Sequence, residues 1–218
     1  MEELTDNERE EQLRAWWGEN WLWIFGGIAL GLAMLAGWQY WQRHKISVAE
    51  AAASGYREVI QALASDDRPA ATAAADKLRL EHPDMPYADQ ADLALARVAV
   101  DRREYDEAAR LLQSVADTSK DAELRNIARG RLARVLIEQG KPDEALALLD
   151  AAQAGEFAAL YHDIRGDALN AKGESAAARD EYELALAAET DTGGLDRAYV
   201  ELKRDALAAS DSSGAAAQ

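Results

Sequence analysis

An uncharged run lies near the N-terminus of the chain, where the 21 residues of Trp21–Trp41 contain no acidic or basic side chain. At about 1.5 Å per residue, a helix of this length measures about 30 Å, the thickness of the hydrocarbon core of a bilayer. Aromatic side chains, which favour the headgroup region, flank the run at both ends. They are Trp16, Trp17, Trp21 and Trp23 on one side and Trp38, Tyr40 and Trp41 on the other. The pattern predicts a transmembrane helix over residues 21–41.

A cleaved signal peptide is the alternative interpretation of this run. Such a signal begins with basic residues and has an apolar core of about 7–15 residues. Residues 1–20 are instead acidic, and Ala49 and Ala51, which could frame a cleavage site, lie beyond the basic Arg43 and Lys45. We therefore predict a retained anchor in the lipid bilayer, preceded by a short acidic leader over residues 1–20.

The orientation of the span does not follow from its flanking charges. The positive-inside rule counts Lys and Arg near the span and largely ignores acidic residues. Arg9 and Arg14 precede the run, and Arg43 and Lys45 follow it, so the two sides are equal. Both orientations therefore stay open at the level of composition.

Small residues in the predicted span share one face. At about 100° per residue, Gly26, Ala29, Ala33 and Gly37 fall within about 80° of one another around the helix axis. Small faces let helices approach closely in lipid, where packing drives association. We predict that this face packs against a helix of a membrane partner.

Beyond the span, small and large apolar residues recur at fixed offsets. Ala108, Ala145 and Ala178 are 37 and 33 residues apart. The positions twelve residues before, four after and seven after each alanine are also apolar or small, as paired helices require. They are Ala96, Ala133 and Gly166; Leu112, Leu149 and Tyr182; and Val115, Ala152 and Ala185. The spacing and the residue types resemble the tetratricopeptide repeat, whose period is about 34 residues.

Glycine and proline mark the predicted helix ends. Gly140 and Gly173 suit the left-handed residue that follows a helix, and Pro142 suits a first turn. Further helices are predicted over residues 48–64, 69–81 and 195–208, and a disordered tail over 209–218. No alternating β pattern occurs, so we predict an all-α fold, a single N-terminal transmembrane helix followed by a tetratricopeptide-like helical-repeat domain over residues 46–208.

Charge and composition exclude several classes of function. The net charge of −16 would repel nucleic acid, and the absence of cysteine removes thiol chemistry. His44, His82 and His162 are scattered along the chain, and consecutive helical residues such as His162 and Asp163 point about 100° apart. We therefore predict no enzyme, no cofactor and no metal site.

The first helices of tetratricopeptide units line a concave groove, which is the candidate binding surface. The predicted lining mixes apolar with charged residues and lacks the lysine and asparagine set that clamps a terminal carboxylate. Such a lining suits extended, unfolded or partner segments. The residues are Leu93, Arg97, Val100, Ile127, Arg134, Ile137, Leu160, Asp167 and Asn170.

The chain resembles the YfgM family of ancillary SecYEG translocon subunits over about residues 10–205. The resemblance rests on GWQYWQRHK at the end of the span and SVAEAAASGYREVIQALAS after it. Its most specific segments are ADTS at Ala116–Ser119, RLARV at Arg131–Val135 and DIRGDAL at Asp163–Leu169.

The resemblance implies a protein of the bacterial inner membrane, with a cytoplasmic N-terminus and a periplasmic helical domain. The implied partners are the SecYEG translocon, a PpiD-type periplasmic chaperone and secretory proteins that emerge from the channel. A scaffold for another cell-envelope complex is the alternative function, and a cytoplasm-facing adaptor would follow from the reverse orientation.

Overall fold

The computed structural model describes residues 6–188 and 194–216, and within these ranges it contains helices and turns but no β-strand. Two 3-10 turns, Ala151–Gln153 and Gly155–Phe157, separate the sixth and seventh α-helices. The helices are α1 (Asp6–Ala64), α2 (Arg68–Glu81), α3 (Pro86–Asp101), α4 (Tyr105–Thr118), α5 (Ala122–Glu138), α6 (Pro142–Leu148), α7 (Ala158–Ala171), α8 (Ser175–Ala187) and α9 (Arg197–Ala216). The predicted all-α class is confirmed.

The chain divides into two compact units, Met1–Ala51 and Ala52–Gln218, with the boundary inside α1. In the first unit, α1 includes a stretch that is long and apolar enough to cross a membrane. Large apolar side chains along it are exposed, with Trp23 at 80% and Leu22 at 66%. Water would disfavour so many exposed apolar groups, whereas lipid accommodates them. The described part of the chain thus has a single N-terminal transmembrane helix.

The second unit consists of antiparallel helix pairs with a core rich in alanine. Ala108, Ala145 and Ala178 are fully buried, so the predicted register is confirmed at these three positions. Of their partners twelve residues earlier, Ala96 is 2% exposed and Ala133 is inaccessible. Small side chains at these positions let neighbouring helix axes approach closely, which is the packing of a tetratricopeptide-like repeat.

Local chain chemistry determines where the helices begin. Asp67 accepts a hydrogen bond from the backbone N–H of Ala70 at 3.1 Å, which caps α2. Asp121 caps α5 in the same way, through the N–H of Glu123 at 2.8 Å. These carboxylates satisfy N–H groups that lack a partner within the helix.

Two helices end just before the predicted glycines. Gly140 and Gly173 adopt φ of +72° and +80°, and each lies in the turn that joins the two helices of one repeat. In the first repeat the same position is Arg103, which adopts φ of +60° although it carries a Cβ atom. One turn geometry is therefore used in all three repeats, with and without glycine.

The second repeat departs from the predicted register after Leu148. Leu149 has extended backbone and is 1% exposed, so it reaches the core from outside α6, whereas Ala152 is exposed. Asp150 accepts a hydrogen bond from the N–H of Ala152 at 3.1 Å and begins a 3-10 turn instead. The expectation that Ala152 lies in a buried helical position is therefore wrong.

The C-terminal helix also differs from its prediction. It begins at Arg197 and continues to Ala216, whereas the sequence predicts a helix over residues 195–208 and a disordered tail from 209. Alanine has the highest helix propensity, and four alanines in 208–216 offset the serines and the glycine of this stretch. The structure therefore corrects the tail prediction for residues 209–216, while residues 217–218 lie outside the described ranges.

Candidate functional site

Three of the predicted groove residues line one open cleft between α3 and α5. Arg97 and Val100 project from α3, and Arg134 projects from α5. The cleft has a volume of about 570 Å³, and we call it the α3–α5 cleft. Its complete lining is Ala96, Arg97, Val100, Asp101, Tyr105, Leu112, Arg131, Arg134, Val135 and Glu138.

The other predicted groove residues lie elsewhere. Leu93 is buried in the core at 7% exposure, and Ile127, Ile137 and Leu160 are partly buried and pack against that core. Asn170 is exposed near the end of α7. Leu93 thus contributes to stability from the interior rather than to a surface, because its side chain faces its helix neighbours.

The floor of the α3–α5 cleft is apolar. Leu112 and Val135 are 1% and 4% exposed, and Val100 is partly buried beside them. Tyr105, at the start of α4, adds a half-buried aromatic ring. Leu112 and Val135 therefore close the floor from below, and Val100 and Tyr105 are the apolar groups that an extended segment can cover.

The charged groups of the cleft are divided between its two ends. Arg97, Arg131 and Arg134 form a cationic group, whereas Asp101 and Glu138 are the last residues of α3 and α5. Short turns reverse the chain twice between α3 and α5, so these two helices run in the same direction and their C-terminal ends lie together. The cleft therefore has a cationic end and an anionic end.

The cationic end is partly desolvated. Burial lowers the pKa of the Arg131 guanidinium, and the positive charges of Arg97 and Arg134 lower it further. Arg134 approaches Asp163 of α7, with 3.4 Å between Nη2 and Oδ2. Because the three guanidinium groups line one cleft, their like charges repel one another.

Asp163 and Asp167 belong to a polar network that joins α7 to α8 and α9. Lys203 of α9 donates to both carboxylates, at 2.7 Å to Asp167, and Tyr182 of α8 donates its hydroxyl proton to Asp167 at 2.8 Å. Burial raises the pKa of Asp163, and its hydrogen bond from Lys203 acts in the opposite direction. Asp167, predicted to line the groove, is therefore engaged in holding α8 and α9 against α7.

His162 and Asp163 have different partners. The Nδ1 atom of His162 lies 2.6 Å from Oε2 of Glu181 on α8, and Arg165 donates to the other oxygen of that carboxylate at 2.9 Å. Asp163 instead contacts Lys203. The two adjacent residues thus do not act on a common atom, as their helical spacing predicts.

Comparison with known proteins identifies the family of this chain. A tetratricopeptide repeat-like domain model matches residues 14–209. The ancillary SecYEG translocon subunit of Escherichia coli (strain K12) is 35% identical over 180 residues, which are 82% of this chain and 86% of that protein. The chain belongs to the family of ancillary SecYEG translocon subunits. The resemblance found in the sequence is thereby confirmed.

Two further proteins with the same name are also similar to the chain over most of its length. The protein of that name from Haemophilus influenzae is 29% identical over 182 residues, 84% of this chain and 89% of the relative. The one from Neisseria gonorrhoeae is 28% identical over 206 residues, 94% and 98% of the two chains. No solved structure matches the chain significantly.

The small-residue face predicted from the sequence lies in the membrane helix. Gly26, Ala29, Ala33 and Gly37 are exposed, and a Cβ atom built on Gly26 or Gly37 would meet nothing within 4 Å. The face is thus open to a neighbouring helix. Its use as a packing surface stays a prediction.

Two residues of the cleft lining do not follow from the predicted groove register. Arg131 belongs to α5 but was not placed in the groove register, and Tyr105 reaches the cleft from α4, a second helix of its repeat. The RLARV segment, Arg131–Val135, contains three of the lining residues. Its arginine spacing of three was therefore an available signal, because residues three apart share a helix face.

Proposed function

We propose that this chain is a non-enzymatic, membrane-anchored adaptor of the SecYEG translocon in the bacterial inner membrane. The observation that carries the proposal is its 35% identity, over most of both chains, to a relative named as an ancillary subunit of that translocon. A single apolar helix and a tetratricopeptide-like domain are the parts that such an adaptor requires.

In this proposal the N-terminus is cytoplasmic and the helical domain is periplasmic. The domain pairs with a PpiD-type periplasmic chaperone and assists secretory proteins as they emerge. The anchor contributes by raising the effective concentration of a weak binding surface near the channel, so that high affinity is not needed. The α3–α5 cleft, with its apolar floor and charged ends, supplies such a surface.

Affinity purification from membranes in mild detergent tests the proposed partners. The full chain is compared with a variant whose residues 21–41 are replaced by an unrelated transmembrane sequence of equal length. We expect SecYEG subunits and a PpiD-type protein to co-purify with the native chain and to be reduced with the variant. Recovery of a different envelope complex would instead support the alternative, a tetratricopeptide scaffold of that complex.

The orientation has its own test. An alkaline phosphatase domain, which is active only outside the cytoplasm, is fused after Ala208. We expect activity in intact cells, and none when the same enzyme is fused before residue 1. The reverse result would make the protein a cytoplasm-facing adaptor.

A further inference from the structure

At the cationic end of the α3–α5 cleft, two of the three arginines form no ion pair within the part of the chain that the structure describes. Within residues 6–188 and 194–216, neither Arg97 nor Arg131 forms an ion pair, and Arg134 shares Asp163 with Lys203. Arg79, Arg102 and Arg165 of the same domain, by contrast, form ion pairs with carboxylates. An external anion would relieve the mutual repulsion of the three guanidinium groups.

The whole-chain charge makes this cluster distinctive. The chain has 40 acidic and 24 basic residues, so carboxylates are in excess to neutralise arginine. Three guanidinium groups nevertheless converge on one cleft, beside an apolar floor of Val100, Leu112 and Val135. A planar guanidinium donates two parallel hydrogen bonds to a carboxylate, which favours carboxylate ligands over a diffuse counter-ion.

The rest of the lining determines the class of ligand. A volume of about 570 Å³ accommodates several side chains of an extended segment, and the apolar floor favours a ligand with aliphatic side chains. Asp101 and Glu138 at the other end would repel a second anionic group.

We propose that the α3–α5 cleft binds an acidic segment of a partner protein in an extended conformation. Its carboxylates contact Arg97, Arg131 and Arg134, and its aliphatic side chains cover Val100 and Tyr105. The anionic end of the cleft sets the direction of the segment, because carboxylates are accepted at one end only. This ligand assignment rests on the adaptor function proposed above. It concerns the segment that the helical domain binds, and not the contact with the translocon.

Fluorescence anisotropy on the full chain in non-ionic detergent tests the proposal. The probes are two short fluorescein-labelled peptides, one of alternating glutamate and leucine and one with glutamine in place of glutamate. We expect the glutamate peptide to bind more tightly by about tenfold, with an affinity that falls as salt is added. Equal binding of the two peptides, or binding of neither, would overturn the proposal.

Substitutions then assign the binding to the cleft. The double variant Arg97→Gln and Arg131→Gln should bind the glutamate peptide about tenfold more weakly. Arg57→Gln, which removes an exposed arginine of α1 outside the cleft, is the matched control and should bind as the native chain does. Both variants should keep the native circular dichroism spectrum, since the replaced side chains are exposed.

Reversal of the cleft charge should create a new binding preference, which a misfolded variant would not show. The variant Arg97→Glu and Arg131→Glu should prefer a lysine and leucine peptide over the glutamate peptide. Unchanged affinity in the glutamine double variant would overturn the proposal. So would displacement of the peptide by phosphatidylglycerol vesicles, or self-association of the chain that the same substitutions abolish, since these outcomes assign the cleft to lipid or to a second copy.

Discussion

Gly166 is required by the aromatic ring that faces it. A Cβ atom on Gly166 would lie 2.9 Å from Cζ of Tyr182 and nearer still to two other ring carbons. Tyr182 is 1% exposed and donates its hydroxyl proton to Asp167, so its ring has little freedom to move aside. The closest approach of α7 and α8 thus depends on the absence of a side chain at one position.

Gly166→Ala is expected to destabilise the helical domain. Overpacking of a close contact costs about 1–3 kcal/mol, which exceeds the helix propensity that alanine gains over glycine. The free energy of unfolding is measured by urea titration of the full chain in detergent. Far-UV circular dichroism is the suitable signal, because all six tryptophans lie at or before residue 41 and report on the span.

Gly130→Ala is the control for this prediction. The added Cβ would lie 3.4 Å from Cδ1 of Ile164, at the border of an ordinary van der Waals contact. We expect this variant to be at least as stable as the native chain, because alanine favours the helix by about 1 kcal/mol. Equal effects of the two substitutions would contradict the role assigned to the Tyr182 ring.

Asp92 makes the stability of the domain depend on pH. Its carboxyl is 3% exposed, and burial raises its pKa from 3.8 to about 6, although Nε of Arg79 lies 3.3 Å from Oδ1. Neither of those two atoms forms a hydrogen bond, so Arg79 offsets only part of the burial cost. Asp89 and Asp76 raise this pKa further, whereas Arg110 lowers it.

The sign of the effect follows from proton linkage. A raised folded-state pKa contributes stability below the unfolded pKa, and this contribution is lost as the pH rises through about 6. Relative to Asp92→Asn, the native chain should therefore gain about 2–3 kcal/mol between pH 7 and pH 4. Urea titrations at both pH values measure the difference. Asp180→Asn, at an exposed position, is the control, and a difference that is independent of pH would contradict the prediction.

At the level of the elements, one turn is used three times with different residues. The N–H groups of Gly140 and Gly173 bond to carbonyls three residues earlier at 2.9 Å, and that of Arg103 does so at 2.8 Å. Arg103 therefore occupies a left-handed position that favours glycine. All three repeats thus share one turn geometry. In the first repeat this geometry costs conformational strain, because Arg103 carries a Cβ atom.

Arg103→Gly should raise the free energy of unfolding by about 0.5–1 kcal/mol, since relief of the left-handed strain exceeds the entropy that glycine adds to the unfolded chain. Gly140→Ala is the reverse change at the equivalent position and should lower stability by about 1 kcal/mol. Urea titration followed by far-UV circular dichroism measures both. A loss of stability in Arg103→Gly would show that the arginine side chain has a role of its own.

The sequence predicted the helical repeats well because small side chains are required wherever helices cross. The register of Ala108, Ala145 and Ala178 follows from that requirement alone. The shortened α6 was not predictable, because the turn at Asp150 competes with helix through a local hydrogen bond. Helix in residues 209–216 was missed because serine and glycine favour turns while alanine favours helix, and the balance is close.

The candidate site was predicted less completely than the fold. Arg97, Val100 and Arg134 line one cleft because a helix face follows from its period, and their contact with a ligand stays a prediction. Tyr105 was missed because it enters the cleft from the neighbouring helix, which requires knowledge of packing between elements. Leu93 was misplaced because apolar residues on a first helix serve the core as readily as a groove.

At the level of the whole molecule, an anchor and a binding domain occur in one chain. The membrane helix has an open face of small residues, and the helical domain has a cleft with an apolar floor and separated charges. In the proposed adaptor the first holds the protein beside its membrane partner, and the second receives a segment of another protein. Weak contacts suffice for both surfaces, because the membrane anchor keeps the chain near its partners and raises their effective concentration.

Photo-crosslinking in intact inner membranes tests whether the small-residue face of α1 contacts the SecYEG translocon. A photoreactive amino acid replaces Ala33 on the small-residue face or Leu35, which lies about 160° away around α1. We expect the substitution at Ala33 to yield adducts with a SecYEG subunit and the one at Leu35 to yield fewer. Adducts with other envelope proteins alone, or no adduct from either position, would contradict a translocon adaptor.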